Sequence, residues 1–454
     1  MKEQKKSKVT RRDFLGLSAL GLANLTILPS WTMADGNRIA PSDRVVTGFI
    51  GLGRQAPGDF NSLIRCPGVQ VVAGSDVDTI KNRRFHNIVT EWQRRTNQPE
   101  SCDTYVFYER MLERKDLDAV VIGTPDHWHA LNTIHSCQAG KDVYLQKPVA
   151  YNISECIATN RAVRYHKRIL QVGSQQRSDR EFEQAFRVVR SGVLGHITNV
   201  HVKVGDFPSP FNLREDPIPS NVNFNKWLGP LNFPAVHFNL EMVPQIGPPY
   251  YRETGPWAAW RWYNETGNGF IGDWGAHHYD IAQWALGLDG LTATEYIPSG
   301  WNGTQFPTWK YANGLVMEER PFRDDRPDDR GIKFIGSNGW LRVARGFIEA
   351  SNPNWLDGSL DVGNEDDVAQ ESPGHFQDWI NCVRSRTEPI APVEAGSSTN
   401  ILFCNIIMAQ ELGRPLHWCP VTNRYRNNDP EALAHRLYYY EYRRPYRLPF
   451  WWGG

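Results

Sequence analysis

The sequence predicts an α/β protein that begins with a doubly wound parallel sheet. Short runs rich in Val and Ile recur between residues 44 and 174, helix-length segments separate them, and the first run ends in a glycine-rich turn. Strands apolar along their whole length belong to parallel sheets covered on both faces. At 454 residues the chain is long enough for two domains and an additional arm.

Residues 1–34 read as a leader. A basic start is followed by Arg11-Arg12, Phe14-Leu15 and an apolar stretch from Leu15 to Leu28, with Thr32 and Ala34 at cleavage positions. This order matches a twin-arginine export signal, which implies the twin-arginine machinery as a partner and a periplasmic or otherwise exported protein. The apolar stretch is short for a membrane span and contains Gly16, Gly21 and Asn24, so no stable span is expected after cleavage. An uncleaved anchor is the alternative. Export of a folded chain suits a cofactor loaded beforehand.

The first strand, RVVTGFI (44–50), runs into Gly51-Leu52-Gly53-Arg54-Gln55-Ala56, a G-x-G-x-x-A form of the dinucleotide fingerprint. Gly51 allows the tight turn, Gly53 lets backbone approach a pyrophosphate, and Ala56 keeps helix and strand close. The second strand, VQVVAGSD (69–76), ends on Asp76, where an acid accepts ribose hydroxyls and repels a 2′-phosphate. That favours NAD over NADP. DAVVIGT (118–124) leads into GTPDHWHA, which puts Thr124, Pro125 and His129 on the ligand-binding edge of the sheet. His127 and His129 also invite a metal reading, but two histidines in one turn more often cap and pack. DVYLQKP (142–148) delivers Gln146 and Lys147 to the same edge, with Pro148 stiffening the backbone. ILQVGS (169–174) closes the series. Helices fit 129–141, ended by Gly140, and 154–168, capped by Ser154.

Beyond Gly173 the pattern changes. A helix over 181–195 precedes an alternating strand, HITNVHVKVGD (196–206). Residues 207–256 read as long irregular loops, 331–346 as a hairpin with a Ser-Asn-Gly turn, and 375–386 and 397–413 as helices. The aromatic, proline-rich end over 437–454 reads as an extended arm on its own body or on a neighbouring subunit.

The stretch GFIGDWGAHHYDIAQWALG (269–287) holds Asp273, His277 and Asp280 at spacings that share one helix face, with His278 turned away. A carboxylate on one imidazole nitrogen fixes the tautomer and raises basicity, so Asp273 and His277 read as an acid–base pair. Lys147 would stabilise a developing alkoxide. A metal site lacks further ligands in sequence, and none is expected. The bland alternative is a helix start whose histidines pack on tryptophans. Trp260, in an aromatic cluster, is a candidate sugar platform; packing is equally compatible with it. Arg177 is a candidate substrate contact, with an ion pair as the competing role, and Asp280 either orients His277 or touches substrate.

After the leader, the chain resembles the Gfo/Idh/MocA family of glucose–fructose oxidoreductase and inositol dehydrogenase. Gln146-Lys147-Pro148 is similar to that family's Glu-Lys-Pro, and Asp273-Trp274-Gly275-Ala276-His277 to its Asp-x-x-x-His. Gln146 in place of glutamate implies a lost charged contact. The resemblance implies an NAD-binding Rossmann domain over 42–174 and a substrate domain over 175–436. The latter would be α+β, with a large, mostly antiparallel open sheet. It also implies a homodimer or homotetramer and hydride transfer from a secondary alcohol of a sugar, sugar derivative or polyol. An alternative activity within the exported branch is glycoside cleavage, with tightly bound NAD oxidising the sugar transiently; a third is non-catalytic sugar binding.

Basic and acidic residues cancel at 50 each, so no bulk field draws the protein to nucleic acid. The seven cysteines form no CxxC pair and read as isolated, mostly buried thiols.

Overall fold

The computed structural model describes residues 44–246, 257–358, 360 and 372–451. The leader over 1–34 lies outside them. The apolar runs form β1 (Val45–Ile50), β2 (Val69–Ser75), β4 (Ala119–Ile122), β5 (Asp142–Leu145) and β6 (Leu170–Val172). A short strand absent from the sequence reading, β3 (Asp103–Tyr105), joins the edge. The order is β3-β2-β1-β4-β5-β6 and every pairing is parallel, the doubly wound arrangement expected. This order opens a crevice beyond the carboxyl ends of β1 and β4, where the glycine-rich turn and the Thr124 loop meet.

The helices α1 (Ala56–Leu63), α2 (Thr79–Arg95), α3 (Asp126–Gln138) and α4 (Ile153–Tyr165) complete this layer. The cap of α4 is Asn152, whose side chain accepts from Glu155 N; Ser154 instead donates to Asn152. Asn152 has extended backbone angles, as a capping residue needs, and Ser154 already lies inside the helix.

The second sheet has nine strands. In chain order they are β7 (Ile197–Lys203), β8 (Glu295–Ile297), β9 (Thr308–Lys310), β10 (Val316–Glu319), β11 (Gly331–Gly336), β12 (Gly339–Ala344), β13 (Phe347–Ala350), β14 (Leu416–Cys419) and β15 (Arg424–Tyr425). They line up as β13-β12-β11-β7-β10-β9-β8-β14-β15, antiparallel except for β7 with β10. The β11–β12 hairpin turns on Ser337-Asn338, with Gly336 opposite Gly339. Alternate β7 residues Val200 and Val202 are fully buried, as a one-faced sheet requires.

Against this sheet and the crevice pack α5 (Arg180–Arg190), α6 (Phe224–Leu228), α7 (Gly269–Asp273), α8 (Gly275–Ala285), α9 (His375–Ser385) and α10 (Val393–Leu412). The second layer is not continuous in sequence. Phe376, Trp379 and Ile380 of α9 share a core with Phe49, Val71 and Tyr144 of the first sheet, and Tyr144 stacks on Phe376 at 4.1 Å. The terminal segment packs on its own body: Leu437 O and Tyr438 O accept from Ile153 N and Ser154 N at the start of α4, and buried Tyr442 donates to Glu155.

The irregular region after β7 is packed rather than loose. Val222, Phe224, Trp227, Phe238, Met242 and Trp260 form a small core. Asn223 N donates to Val77 O and Thr79 N to Asn221 O, strapping this segment over the end of β2. All seven cysteines are free thiols, six of them buried. Among the described residues no helix is long and apolar enough to cross a membrane.

Candidate active site

The glycine-rich turn is built as its sequence demands. Gly51 has φ +86° and donates to Ser75 O; a Cβ there would lie 2.6 Å from Thr124 N, so only glycine fits. Asp76 sits at the end of β2 with one carboxylate oxygen accepting from Leu52 N at 2.8 Å and the other from Asp78 N at 2.9 Å. Burial raises its pKa, against the opposing pull of Lys81. Gly51, Gly53, Arg54, Asp76, Thr124 and Pro125 line one slot, which Trp227, Met242 and Trp260 of the strap close from the other side. These residues fit a nicotinamide dinucleotide: a carboxylate at the ribose position and a turn without side chains at the pyrophosphate position. Arg54 lies over the Trp257 ring at 4.5 Å.

Two fingerprint-region expectations need correction. Leu52 is fully buried; its N–H is committed to Asp76 and its carbonyl to Arg84, so it holds the turn rather than a ligand. His129 is 1% exposed and both ring nitrogens meet backbone carbonyls, of Pro148 and Thr124, so it ties two loops together. Burial takes its pKa down to about 4. His127 likewise packs on Trp227 and meets its carbonyl.

The slot opens into a cleft of about 850 Å³, a size suited to a small ligand, and the two share Gln55, Thr124, Trp257, Trp260 and Arg261. On its floor, Lys147 follows β5 through a cis bond to Pro148. Its ammonium donates to Asp273 Oδ1 at 2.6 Å and to Asp273 O at 2.9 Å. Burial works against the Asp273 carboxylate, yet Lys147 and Arg261 outweigh it and hold its pKa below the usual range. Arg261 Nε stands 3.6 Å from the same oxygen, with its guanidinium over Trp260 at 4.3 Å.

The Asp–His element is not one helix. It is interrupted at Trp274, between α7 and α8. Asp273 therefore pairs with Lys147 instead of orienting His277, whose Nδ1 has no partner among the described residues. His277 still lines the cleft. Burial, then the charges of Lys147 and Arg345, hold its pKa well below the ordinary histidine value, so the ring is neutral. His278 is fully buried against Trp274 and Phe182, and burial takes its pKa to about 3.

Arg177 and Asp280 do not reach the cleft. Arg177 is fully buried and spends all five N–H donors on Asp280, Asp289 and Ile390 O, at 2.7–3.0 Å. Asp280, three residues beyond His277 on α8, points inward to this pair. Both are corrected from substrate contacts to structural ions.

Three groups on the cleft wall had escaped the sequence reading. Asp59, on α1, is 2% exposed; its Oδ1 accepts from Gln55 Nε2 at 2.8 Å, and both its oxygens accept from Gln146 Nε2 at 2.9 Å. Burial lifts its pKa to about 7. Gln146 thus meets a carboxyl instead of carrying one, which gives the substitution at that position a physical counterpart. Asp126 begins α3 within the quoted GTPDHWHA stretch, and Arg345, from the β12–β13 turn, stacks on Trp274 at 4.5 Å. Among the described residues no group of three or more His, Cys, Asp or Glu is arranged to hold a metal.

Residues 45–174 match the Gfo/Idh/MocA family model, described as an oxidoreductase family with an NAD-binding Rossmann fold. The chain is 29% identical over 164 residues to a "Glycosyl hydrolase family 109 protein" of Shewanella pealeana, covering 33% of this chain and 36% of that protein. It is 27% identical over 205 residues to the oxidoreductase YrbE of Bacillus subtilis, covering 45% and 54%. The chain thus spans about a third to a half of the length of these curated relatives. Two solved structures share its fold. The WlbA dehydrogenase of Bordetella pertussis, in complex with NADH and UDP-GlcNAcA, gives a TM-score of 0.54 at 16% identity, covering 83% of this chain and 98% of that one. The aldose-aldose oxidoreductase of Caulobacter crescentus, complexed with glycerol, gives 0.52 at 16% identity, covering 82% and 99%. At such identities the likeness shows the fold alone.

Proposed function

We propose that this chain, whose first domain carries the NAD-binding Rossmann fold of the Gfo/Idh/MocA oxidoreductases, is an exported NAD-dependent oxidoreductase. Its substrate is a secondary alcohol of a sugar, sugar derivative or polyol. The observation that carries this reading is the meeting of the Lys147–Asp273 pair and a neutral His277 in one cleft, continuous with a slot that holds Asp76. Asp76 supports NAD over NADP by accepting ribose hydroxyls and repelling a 2′-phosphate.

When bound, the nicotinamide supplies the hydride acceptor. Lys147 hydrogen-bonds the carbinol oxygen and stabilises the alkoxide as it forms. Asp273 fixes the ammonium by two contacts, through its carboxylate and its backbone carbonyl. His277 takes the hydroxyl proton. In the resting site the Lys147 charge opposes protonation of that ring. The developing alkoxide cancels this charge, so proton uptake becomes favourable where negative charge appears. Trp257, Trp260 and Trp274 line the cleft, each with a guanidinium over its ring.

A second reading uses the same hydride transfer for glycoside cleavage, with the cofactor reduced and reoxidised in each turnover. The strap closing the slot favours it, since a retained cofactor suits recycling. The glycosyl hydrolase relatives point the same way. Twin-arginine export with folding beforehand, and a homodimer or homotetramer, belong to both readings. Purified protein should be assayed on a panel of sugars and aryl glycosides for NADH formation and aglycone release. Net NADH supports the dehydrogenase. Aglycone release with retained nucleotide and no net NADH supports the glycosidase, and neither signal with any substrate would refute both.

A further inference from the structure

Asp126 stands at the start of α3, directly after Pro125 and beyond the carboxyl end of β4. Its side chain lines the cleft that also contains Lys147, Asp273 and His277. It is 6% exposed, yet among the described residues its carboxyl has no hydrogen-bond partner and no ion pair within contact distance. Other carboxyls around the cleft are provided for: Asp59 by Gln55 and Gln146, Asp273 by Lys147, and Glu155 by Tyr151 N and Tyr442. Its oxygens open onto the cleft rather than being sealed in the core, so a carboxyl that no protein group engages is available to a ligand there.

The surroundings say what kind of ligand group fits. Lys147 and Arg261 are close enough for their charges to act on the carboxyl, while Asp273 and Glu155 oppose them. A cationic ligand group would meet two cations already present. Burial, the largest influence, lifts the pKa to about 8, so at neutral pH the carboxyl is mostly protonated, a donor and an acceptor at once. A hydroxyl has the same dual character. Trp260, Arg261 and Lys147 line the same cleft as Asp126, and its volume of about 850 Å³ accommodates a sugar ring.

We propose that Asp126 is a substrate-binding and specificity-determining residue, which hydrogen-bonds a ring hydroxyl adjacent to the carbinol engaged by Lys147. This rests on the sugar-oxidising reading above and deepens it: the substrate carries a second hydroxyl next to the one oxidised. The group has no protein hydrogen-bond partner, so the substrate hydroxyl would be its partner in place of cleft water.

The test compares Asp126→Ala and Asp126→Asn with the wild-type holoenzyme on the best sugar and on its monodeoxy analogues. For the parent sugar, kcat/KM should fall about ten- to a hundred-fold in Asp126→Ala. Asp126→Asn, which keeps a donor and an acceptor, should stay within about ten-fold. The analogue lacking the partnered hydroxyl should already be poor with wild type and lose little more in Asp126→Ala. Both variants should retain nucleotide and melt at or above the wild-type temperature, because an orphaned buried carboxyl has been removed. Equal losses on every deoxy analogue would overturn the assignment. So would loss of bound nucleotide, which would make the cofactor the partner, or unchanged kcat/KM for the parent sugar. Failure of wild type to turn over any sugar would bring down the functional reading and this assignment together, whereas wild-type turnover insensitive to position 126 would remove only the latter.

Discussion

Replacing Lys147 with methionine keeps the length of the side chain and deletes its charge. At about 3 Å from an alkoxide, and with an effective dielectric of about 20, one unit charge contributes a Coulomb term of roughly 5–6 kcal/mol. Asp273, 2.6 Å from the ammonium, already takes part of that field. About 3–5 kcal/mol then remains for the transition state, a rate loss of roughly 10²- to 10⁴-fold. The substitution also strands Asp273, whose side chain is 20% exposed and whose low pKa depends first among its stabilising influences on Lys147. Lys147→Met alone should therefore lose stability as well, and a double variant with Asp273→Asn should recover stability without recovering rate. Single-turnover reduction of the bound cofactor, followed by NADH absorbance beside a urea titration, separates the two effects. A folded, nucleotide-loaded Lys147→Met enzyme within ten-fold of the wild-type rate would refute the role given to the ammonium.

Arg177→Ala leaves Asp280 and Asp289 without their guanidinium, one of them 1% exposed; urea unfolding should show a loss of about 3–5 kcal/mol with KM of the surviving enzyme nearly unchanged. A raised KM at normal stability would restore the substrate role. Asp59 has a folded pKa of about 7, above its unfolded value, so its ionisation costs no stability below about pH 4. The cost grows through the window from about 4 to 7 and is complete above it, a few kcal/mol at most. Asp59→Asn lacks that titration, and its stability relative to wild type, measured by urea at pH 5 and pH 8, should rise with pH. A difference independent of pH would contradict the burial of the charge. Trp227→Ala opens the wall of the slot and should speed nucleotide loss on dialysis, with kcat on added NAD little changed. Unaltered retention would show that the strap does not hold the cofactor.

The first sheet was legible because its strands are buried on both faces, and Val- and Ile-rich runs record that directly. β3 left no such record: Asp103 and Thr104 are exposed and only Tyr105 is partly covered. The cofactor turn and Lys147 could be read because glycine pattern and strand ends fix their location locally. The partnering of Asp273 could not. Heptad-like spacing put Asp273, His277 and Asp280 on one face, but the break at Trp274 divides them, and the winners were Lys147, 126 residues away, and Arg177, 103 away. The strap read as irregular, and among its described residues the structure has the short helix α6 (Phe224–Leu228). Its packing rests on Phe224, Trp227 and Trp260 meeting across the fold, and no local period announces that. Asp126 was in plain view within GTPDHWHA, yet burial in a cleft is a property of tertiary structure, and the histidines beside it drew the chemical reading.

The central claim is hydride transfer from a sugar carbinol to a nicotinamide held in the slot beside Asp76. Its most direct measurement is transfer of deuterium. Purified holoenzyme is incubated with sugars deuterated at successive carbinol carbons, quenched, and the released nucleotide weighed by mass spectrometry. One deuterium on the reduced nicotinamide, from one carbon only and lost in Lys147→Met, is the predicted result. Absence of nucleotide from the protein even after incubation with NAD, or aglycone release with no label on the nicotinamide, would contradict it.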